Sequence, residues 1–288
     1  PCIFSRCRLK IPKRLQPLVD DGFIDEVISR LMSGKEADVF VVACGDDIRC
    51  AKVYKDASKR SFKKAAQYQE GRKVRGGRQA RAMGKRSSYG RQLEEEIWQN
   101  AEVDALSRLS SAGVRVPQTY GCIDGVLLME LVSDDEGDVA PQLGAVDLTE
   151  QQAIEQHTLM MHYIKLMLCA GIIHGDLSEF NVLVDSNGPV IIDLPQAVNA
   201  SANNSAEAMF ARDVNNMRRY YGQFAPALLH TQYAKEMWAL FADANLTPHS
   251  KLSGEFEDDS EAADVDSVLD EIQAAFDEEQ ERKERIRD

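Results

Sequence analysis

His174, Asp176 and Asn181 fall within "GIIHGDLSEFNVLV", residues 171–184, a run otherwise rich in Ile, Leu, Val and Phe. A polar group buried without a partner costs about 1–3 kcal/mol, so these side chains are either satisfied by neighbours or used in chemistry. Asp193 follows at the end of the next apolar stretch, "PVIID". Two short strands joined by "DSNG" would set Asn181 beside Asp193, with Asp176 projecting from the loop ahead of them. Two oxygen ligands suit the hard Mg²⁺ ion, which keeps water and binds substrate phosphates. A third carboxylate slightly apart can orient or deprotonate a hydroxyl. Taken singly, each of these residues is better explained as a turn cap bonded to nearby backbone.

The elements that must position them can be read from periodicity. In "PKRLQPLVDDGFIDEVISRL", apolar residues at 15, 18, 19, 23, 24, 27, 28 and 31 predict one or two short helices broken near Gly22. "ADVFVVACGDDIRCAKVYK" alternates around "CGDD", the pattern of an antiparallel hairpin. A helix follows over 93–112, closed by Gly113, and then two strands about "IDGV". Thr149 is the expected N-cap of a long amphipathic helix that closes at Gly171. Further helices occupy 206–246. Strands first and helices later predict two lobes, a sheet-rich smaller one and a helical larger one.

Net charge is −13, unevenly spread. Between Lys55 and Arg91, thirteen Lys or Arg stand against Asp56 and Glu70, a local net of +11. From Gly254 to Asp288, fifteen acidic residues face four basic ones, a net of −11. The basic island is too long for an ordinary connection and reads as a functional or disordered loop. Its charge, with Tyr68 and Tyr89 as stacking candidates, suits contact with a nucleic-acid backbone. The tail reads as an acidic linker ending in a short helix with Val268, Leu269, Ile272, Ala275 and Phe276 on one side. No run approaches about 18 uncharged apolar residues, and "PCIFSRCRLKIPKRLQ" lacks the apolar stretch of a secretory signal. The six cysteines form no C-x-x-C pair. The expectation is a soluble cytoplasmic protein with neither membrane contact, structural zinc nor disulfide framework.

"HGDLSEFN" followed by "IID" resembles the catalytic loop and metal-binding strand of protein-kinase-like phosphotransferases. Its particular form, with Ser178, Glu179 and Phe180 before Asn181 and "IDLPQ" after the strand, is similar to the RIO family of atypical serine kinases. "SGKEADVF" resembles that family's nucleotide loop, and "AKVYK" and "WQNAEVDAL" supply Lys52 and Glu102 in the expected order. The front segment, 11–31, resembles the short helices of the subgroup without a winged-helix domain, and "KIPKRLQPLVDDGFIDEV" and "GRKVRGGRQARAMGK" are similar to its bacterial members.

The resemblance implies an α+β, two-lobed protein-kinase-like fold with a small antiparallel-sheet N-lobe and a helical C-lobe, trimmed of the activation-loop platform that grips peptides. It divides the chain into a helical extension at 1–31, an N-lobe at 32–132 with flexible loop 56–91, a C-lobe at 133–250 and an acidic tail at 251–288. It implies ATP with Mg²⁺, or Mn²⁺ in its place, as cofactors. Asp176 would be the catalytic base, and Asn181 and Asp193 the metal ligands. Lys52, fixed by Glu102, would hold the α- and β-phosphates, and the amides of Ser33, Gly34, Lys35, Glu36 and Ala37 would cradle phosphate. Met129, Glu130, Leu131 and Val132 would form the adenine-contacting hinge. His174 is read as holding the loop through backbone, and Arg212, Asp213 and Asn216 as a cap and core hydrogen bonds at the start of the next helix.

The expected activity is phosphoryl transfer to serine on a protein, including self-phosphorylation, with Ser33, Ser58, Ser61, Ser87 and Ser88 as candidate self-sites. One alternative is an ATPase switch in ribosome or RNA assembly, forming an aspartyl phosphate on Asp193. Another is a small-molecule phosphotransferase of the aminoglycoside type, disfavoured by Ser178, Glu179, Phe180 and the "SGKE" loop.

Overall fold

The computed structural model describes residues 11–34, 36–55 and 101–256. Outside them fall Lys35, residues 56–91 of the basic island with its two tyrosines and four candidate serines, the first part of the helix expected before Gly113, and the helix expected in the acidic tail.

Helix α1, Gln16–Asp20, carries Pro17 in its first turn, where a missing amide proton costs nothing. Strands β1 (Glu26–Ser33), β2 (Ala37–Cys44) and β3 (Asp47–Tyr54) follow, then helix α2 (101–111) and strands β4 (Thr119–Ile123) and β5 (Val126–Glu130). The five strands form one sheet in the order β1-β2-β3-β5-β4, with every neighbouring pair antiparallel. Gly45, with φ of 65°, makes the two-residue turn that "CGDD" predicts.

The helical extension expected over residues 1–31 is corrected here: residues from Glu26 onward are strand, so the sheet starts before residue 32. The reason lies in the register. Pairing of β1 with β2 shifts between Val27 and Ser29 and again between Arg30 and Met32. Each bulge adds a residue and breaks the alternation by two that marks a strand. The remaining apolar spacing imitates a helix.

The sheet has two working faces. Phe40, Val42, Ala51, Val53, Val126 and Leu128 pack with Leu15, Leu18 and Ile24, so α1 and the turn after it cap one side. On the other side Ala37, Tyr54 and Leu127 join Ala105, Leu106 and Leu109 of α2 and continue into the helical lobe as one hydrophobic cluster.

That lobe is built on α3, Glu150–Cys169. Thr149 caps it in a reciprocal box with Gln152, as the sequence predicts, and Gly171 follows at φ of 72°. Short strands β6 (Ile172–Ile173) and β9 (Val198–Asn199) pair, as do β7 (Val182–Asp185) and β8 (Gly188–Ile191). Helices α4 (Ala206–Gly222) and α5 (Tyr233–Ala242) complete the lobe. Only residues 194–205 separate Asp193 from α4, and β9 is among them, which leaves no room for a long activation segment. The whole is the expected two-lobed α+β, protein-kinase-like arrangement.

Candidate active site

Lys52 sits in β3 opposite Leu127 and is 7% exposed. Its Nζ donates to Glu102 Oε1 at 2.7 Å and to Asp193 Oδ1 at 2.6 Å. Burial by itself would lower the lysine pKa, but the two carboxylates outweigh it and hold the amine above its usual range. Glu102, on α2 and 1% exposed, takes a second hydrogen bond from Tyr54 Oη to Oε2 at 2.5 Å. Burial, and then the charge of Glu102, push the Tyr54 phenol far up, so it stays protonated and donating. Lys52 and Tyr54 are two residues apart on one strand and therefore share a face. Burial would raise the Asp193 pKa, but Lys52 more than offsets it, so the carboxylate is ionised.

The β7–β8 hairpin places the metal-ligand candidates. Val182 pairs with Ile191, and the ladder extends one step as Ile192 N–H donates to Asn181 O at 3.0 Å. Asn181 is thereby opposite Ile192 and next to Asp193. Asn181 Nδ2 donates to Asp176 O at 2.8 Å, turning the amide oxygen away from that bond. The Asp193 side chain is 43% exposed and its backbone has a positive φ of 65°, a conformation non-glycine residues adopt at a cost and often at functional sites. An amide oxygen and a carboxylate are hard donors that fit a magnesium-like ion. Among the described residues no group of three or more His, Cys, Asp or Glu forms a protein-only metal cage. Water and substrate phosphates would supply the remaining ligands.

The loop carrying Asp176 is held through its backbone. Asp213, 2% exposed on α4, accepts from Gly175 N at 2.7 Å and Leu177 N at 3.1 Å, on either side of Asp176. Burial lifts the Asp213 pKa to about 6, against the pull of these donors. Asn216 Nδ2 donates to Leu177 O at 2.8 Å, and Arg212 donates to Gly175 O. His174 accepts from Asp176 N at Nδ1 and therefore donates from Nε2 to Ile192 O at 3.0 Å, joining the loop to the strand before Asp193. Gly175 has φ of 82°, which a side chain would resist. The result is a rigid loop from which the exposed Asp176 side chain projects.

Beside Lys52, which pairs with Val39, the β1–β2 turn is pinned by Asp38, which accepts from Ser33 Oγ and Arg30 Nη2, each at 2.6 Å. Lys55 Nζ donates to Gly34 O at 2.6 Å. Gly34 N–H bonds Ala37 O, closing the turn. At the expected hinge, Glu130 N–H pairs with Gln118 O, and Val132 O accepts from Ala140 N. Ser133 Oγ donates to Leu131 O, and Met129 pairs with Cys50 in the sheet.

The family model of the RIO domain matches residues 38–234. This chain belongs to the RIO family. The "RIO-type serine/threonine-protein kinase Rio1" of Haloferax volcanii is 33% identical over 208 residues, 71% of this chain and 66% of that protein. The "RIO-type serine/threonine-protein kinase Rio2" of Methanocaldococcus jannaschii is 28% identical over 215 residues, 73% of each chain. The human "Serine/threonine-protein kinase RIO1" is 28% identical over 231 residues, 78% of this chain but 38% of its own length. The RIO chain described here thus spans about two thirds of the first of these relatives.

In this RIO chain Lys52 meets both Glu102 and Asp193 directly, and Asn181 lies opposite Ile192, the residue before Asp193. Arg212, Asp213 and Asn216 do not begin a helix. They lie inside α4, which starts at Ala206, and they grip the Asp176 loop. Tyr54 is a site residue that the sequence expectations do not include, although its spacing of two from Lys52 is a signal for a shared face. Arg115 is another that the sequence expectations do not include. It donates to Glu130 and to Asp185, and an arginine set between "GV" and "VP" after a helix is the only local hint.

Proposed function

We propose that this RIO chain transfers the γ-phosphoryl group of ATP to a serine hydroxyl of a protein, its own chain included. The observation that carries the reading is the buried lysine joined to both Glu102 and Asp193. A cation at 7% exposure, held between a helix glutamate and the aspartate that follows the β7–β8 hairpin, is placed to meet phosphate. The names of its relatives point the same way.

In this reading Lys52 orients the α- and β-phosphates, and turn 33–37 covers them. The hinge at 129–132 receives adenine. Asp176 accepts the serine proton as the hydroxyl oxygen attacks phosphorus and the bond to the ADP oxygen breaks. Asn181 and Asp193 would hold Mg²⁺, or Mn²⁺ in its place, whose charge neutralises the phosphate oxygens. No described helix is long and apolar enough to cross a membrane, and Cys44, Cys50, Cys122 and Cys169 are free thiols, in keeping with a reducing cytoplasm. Contact of segment 56–91 with RNA is a separate proposal, supported by its local net charge of +10. The proposed domain limits are an N-terminal extension ending before Glu26, an N-lobe from there to residue 132, a C-lobe over 133–250 and an acidic tail over 251–288.

The test is transfer from γ-labelled ATP by the wild type, Asp176→Asn and Asp193→Asn, scoring phosphoserine, acid-labile acyl phosphate and free phosphate separately. Phosphoserine in the wild type, lost in both variants, is the expected result. Acyl and free phosphate alone would make the chain an ATPase switch with Asp193 as acceptor. Equal labelling in all three would remove both residues from the chemistry.

A further inference from the structure

We propose that Arg115 is a positioning residue for nucleotide binding: by gripping Glu130 and Asp185 together it sets the spacing between the hinge strand and the metal-ligand hairpin. The inference rests on the nucleotide site proposed above and adds to it a residue that touches neither ATP nor metal.

Arg115 lies between α2 and β4, and its guanidinium is 29% exposed. Nη1 and Nη2 meet the two oxygens of Glu130, the last residue of β5, at 2.9 and 2.6 Å. Nη2 and Nε meet Asp185 Oδ2, at the end of β7, at 2.9 and 3.2 Å. The Asp185 side chain is 6% exposed, so that arm of the grip is shielded from solvent, while Glu130 on the other arm is 29% exposed. Backbone bonds reinforce it. Ile191 N–H donates to Arg115 O at 3.0 Å, and Gln118 N–H donates to Glu130 Oε2 at 3.0 Å. One side chain therefore joins the sheet lobe to the β7–β8 hairpin.

The two grips have different positional consequences. Glu130 begins the hinge proposed to receive adenine. Asp185 ends the strand whose other end is preceded by Asn181, about 13 Å away along the backbone. Asp193 follows the paired strand. A nucleotide must reach from hinge to metal ligands, and a mismatch near 1 Å between those ends is felt strongly in binding and reaction. An exposed ion pair contributes little and would not fix such a distance. A planar fork engaging two carboxylates on two elements restricts both separation and angle, which the single ammonium of lysine cannot do.

The experiment is calorimetric titration of the full chain with a non-hydrolysable ATP analogue and Mg²⁺. It compares the wild type, Arg115→Lys, Glu130→Gln, Asp185→Asn and the Glu130→Gln/Asp185→Asn pair, with melting temperatures recorded without nucleotide. Arg115→Lys is expected to weaken analogue binding about tenfold at a temperature well below its melting point. The Glu130 and Asp185 changes are expected to be less than additive on affinity, since both act through the same guanidinium. Asp185→Asn keeps an oxygen for Asn187 N–H, so the single variants carry the test even where Arg115→Lys folds poorly. Wild-type affinity in folded variants, with only the melting temperature lowered, would make the clamp a structural staple and overturn the proposal. Strictly additive losses would do the same. A wild type that binds no nucleotide would instead remove the proposed function on which the inference stands.

Discussion

Lys52 Nζ and Asp193 Oδ1 lie 2.6 Å apart, although 141 residues separate them in the chain. The lysine belongs to the sheet lobe and the aspartate follows the hairpin of the helical lobe. Their ion pair, with Glu102 as third member, therefore gives the lobes a charged junction at the place where ATP is proposed to bind. Lys52 and Glu102, the two buried members, satisfy each other, which is the condition for keeping charges that deep.

Replacing Lys52 by Met would leave Glu102 buried without its cation. Loss of one partner of a buried pair costs about 3–5 kcal/mol, so urea denaturation should show a shift of that size. Phosphoryl transfer should fall at least about 100-fold, because the group that orients the phosphates is gone. A variant of full activity would separate Lys52 from the chemistry.

Asp176 presents the opposite case. Its side chain is exposed while its loop is fixed through the backbone. Asp176→Asn should reduce phosphoserine formation by about 10² to 10⁴, the usual range for a lost base, with the melting temperature unchanged within about 1 °C. A large drop in melting temperature would assign the residue to structure instead.

Tyr54→Phe removes one oxygen from the core and leaves Glu102 Oε2 without that donor. A cost of about 1–3 kcal/mol is expected in equilibrium unfolding. The remaining bond from Lys52 should let Glu102 turn, raising KM for ATP more than it lowers kcat. Kinetics indistinguishable from the wild type would restrict Tyr54 to packing.

Asp213, with its pKa raised to about 6, sets a pH dependence of definite sign. Its folded pKa exceeds the unfolded value near 4, so its contribution to stability is fully present below pH 4 and is lost as pH rises through 6. Asp193, with a lowered pKa, runs the other way: its contribution is present above pH 4 and is lost as pH falls through its folded value. Unfolding measured from pH 4.5 to 7 should therefore lose its Asp213 component in Asp213→Asn, flattening the decline toward neutral pH. Transfer should also weaken below about pH 6, since a protonated carboxyl is a poorer acceptor for Gly175 and Leu177. An Asp213→Asn profile parallel to the wild type at every pH would count against this assignment.

What was legible in the sequence was whatever a short stretch of chain decides alone. The "DSNG" turn and its flanking apolar residues force a hairpin, and a hairpin forces Asn181 next to the strand ending at Asp193. Thr149 and Gln152 cap α3 because a capping box needs only three intervening steps of helix. Lys52 stood out because a cation between Ala51 and Val53 in a strand requires a partner.

Beyond the expected Lys52–Glu102 pair, the partners came only with tertiary structure. Lys52 reaches Asp193, Asp213 reaches Gly175 and Arg115 reaches Asp185 across 141, 38 and 70 residues, distances at which no residue pattern specifies register. Even β1 was decided this way. Its apolar spacing suits a helix, but the exposed edge of β2 offered a full ladder of backbone bonds, and two bulges let the strand accept it. The sequence by itself determined which residues carry charge and oxygen donors and which hairpin holds two of them. Docking of the lobes decided which charges meet, because burial makes an unpaired charge costly and leaves few arrangements in which every one is matched.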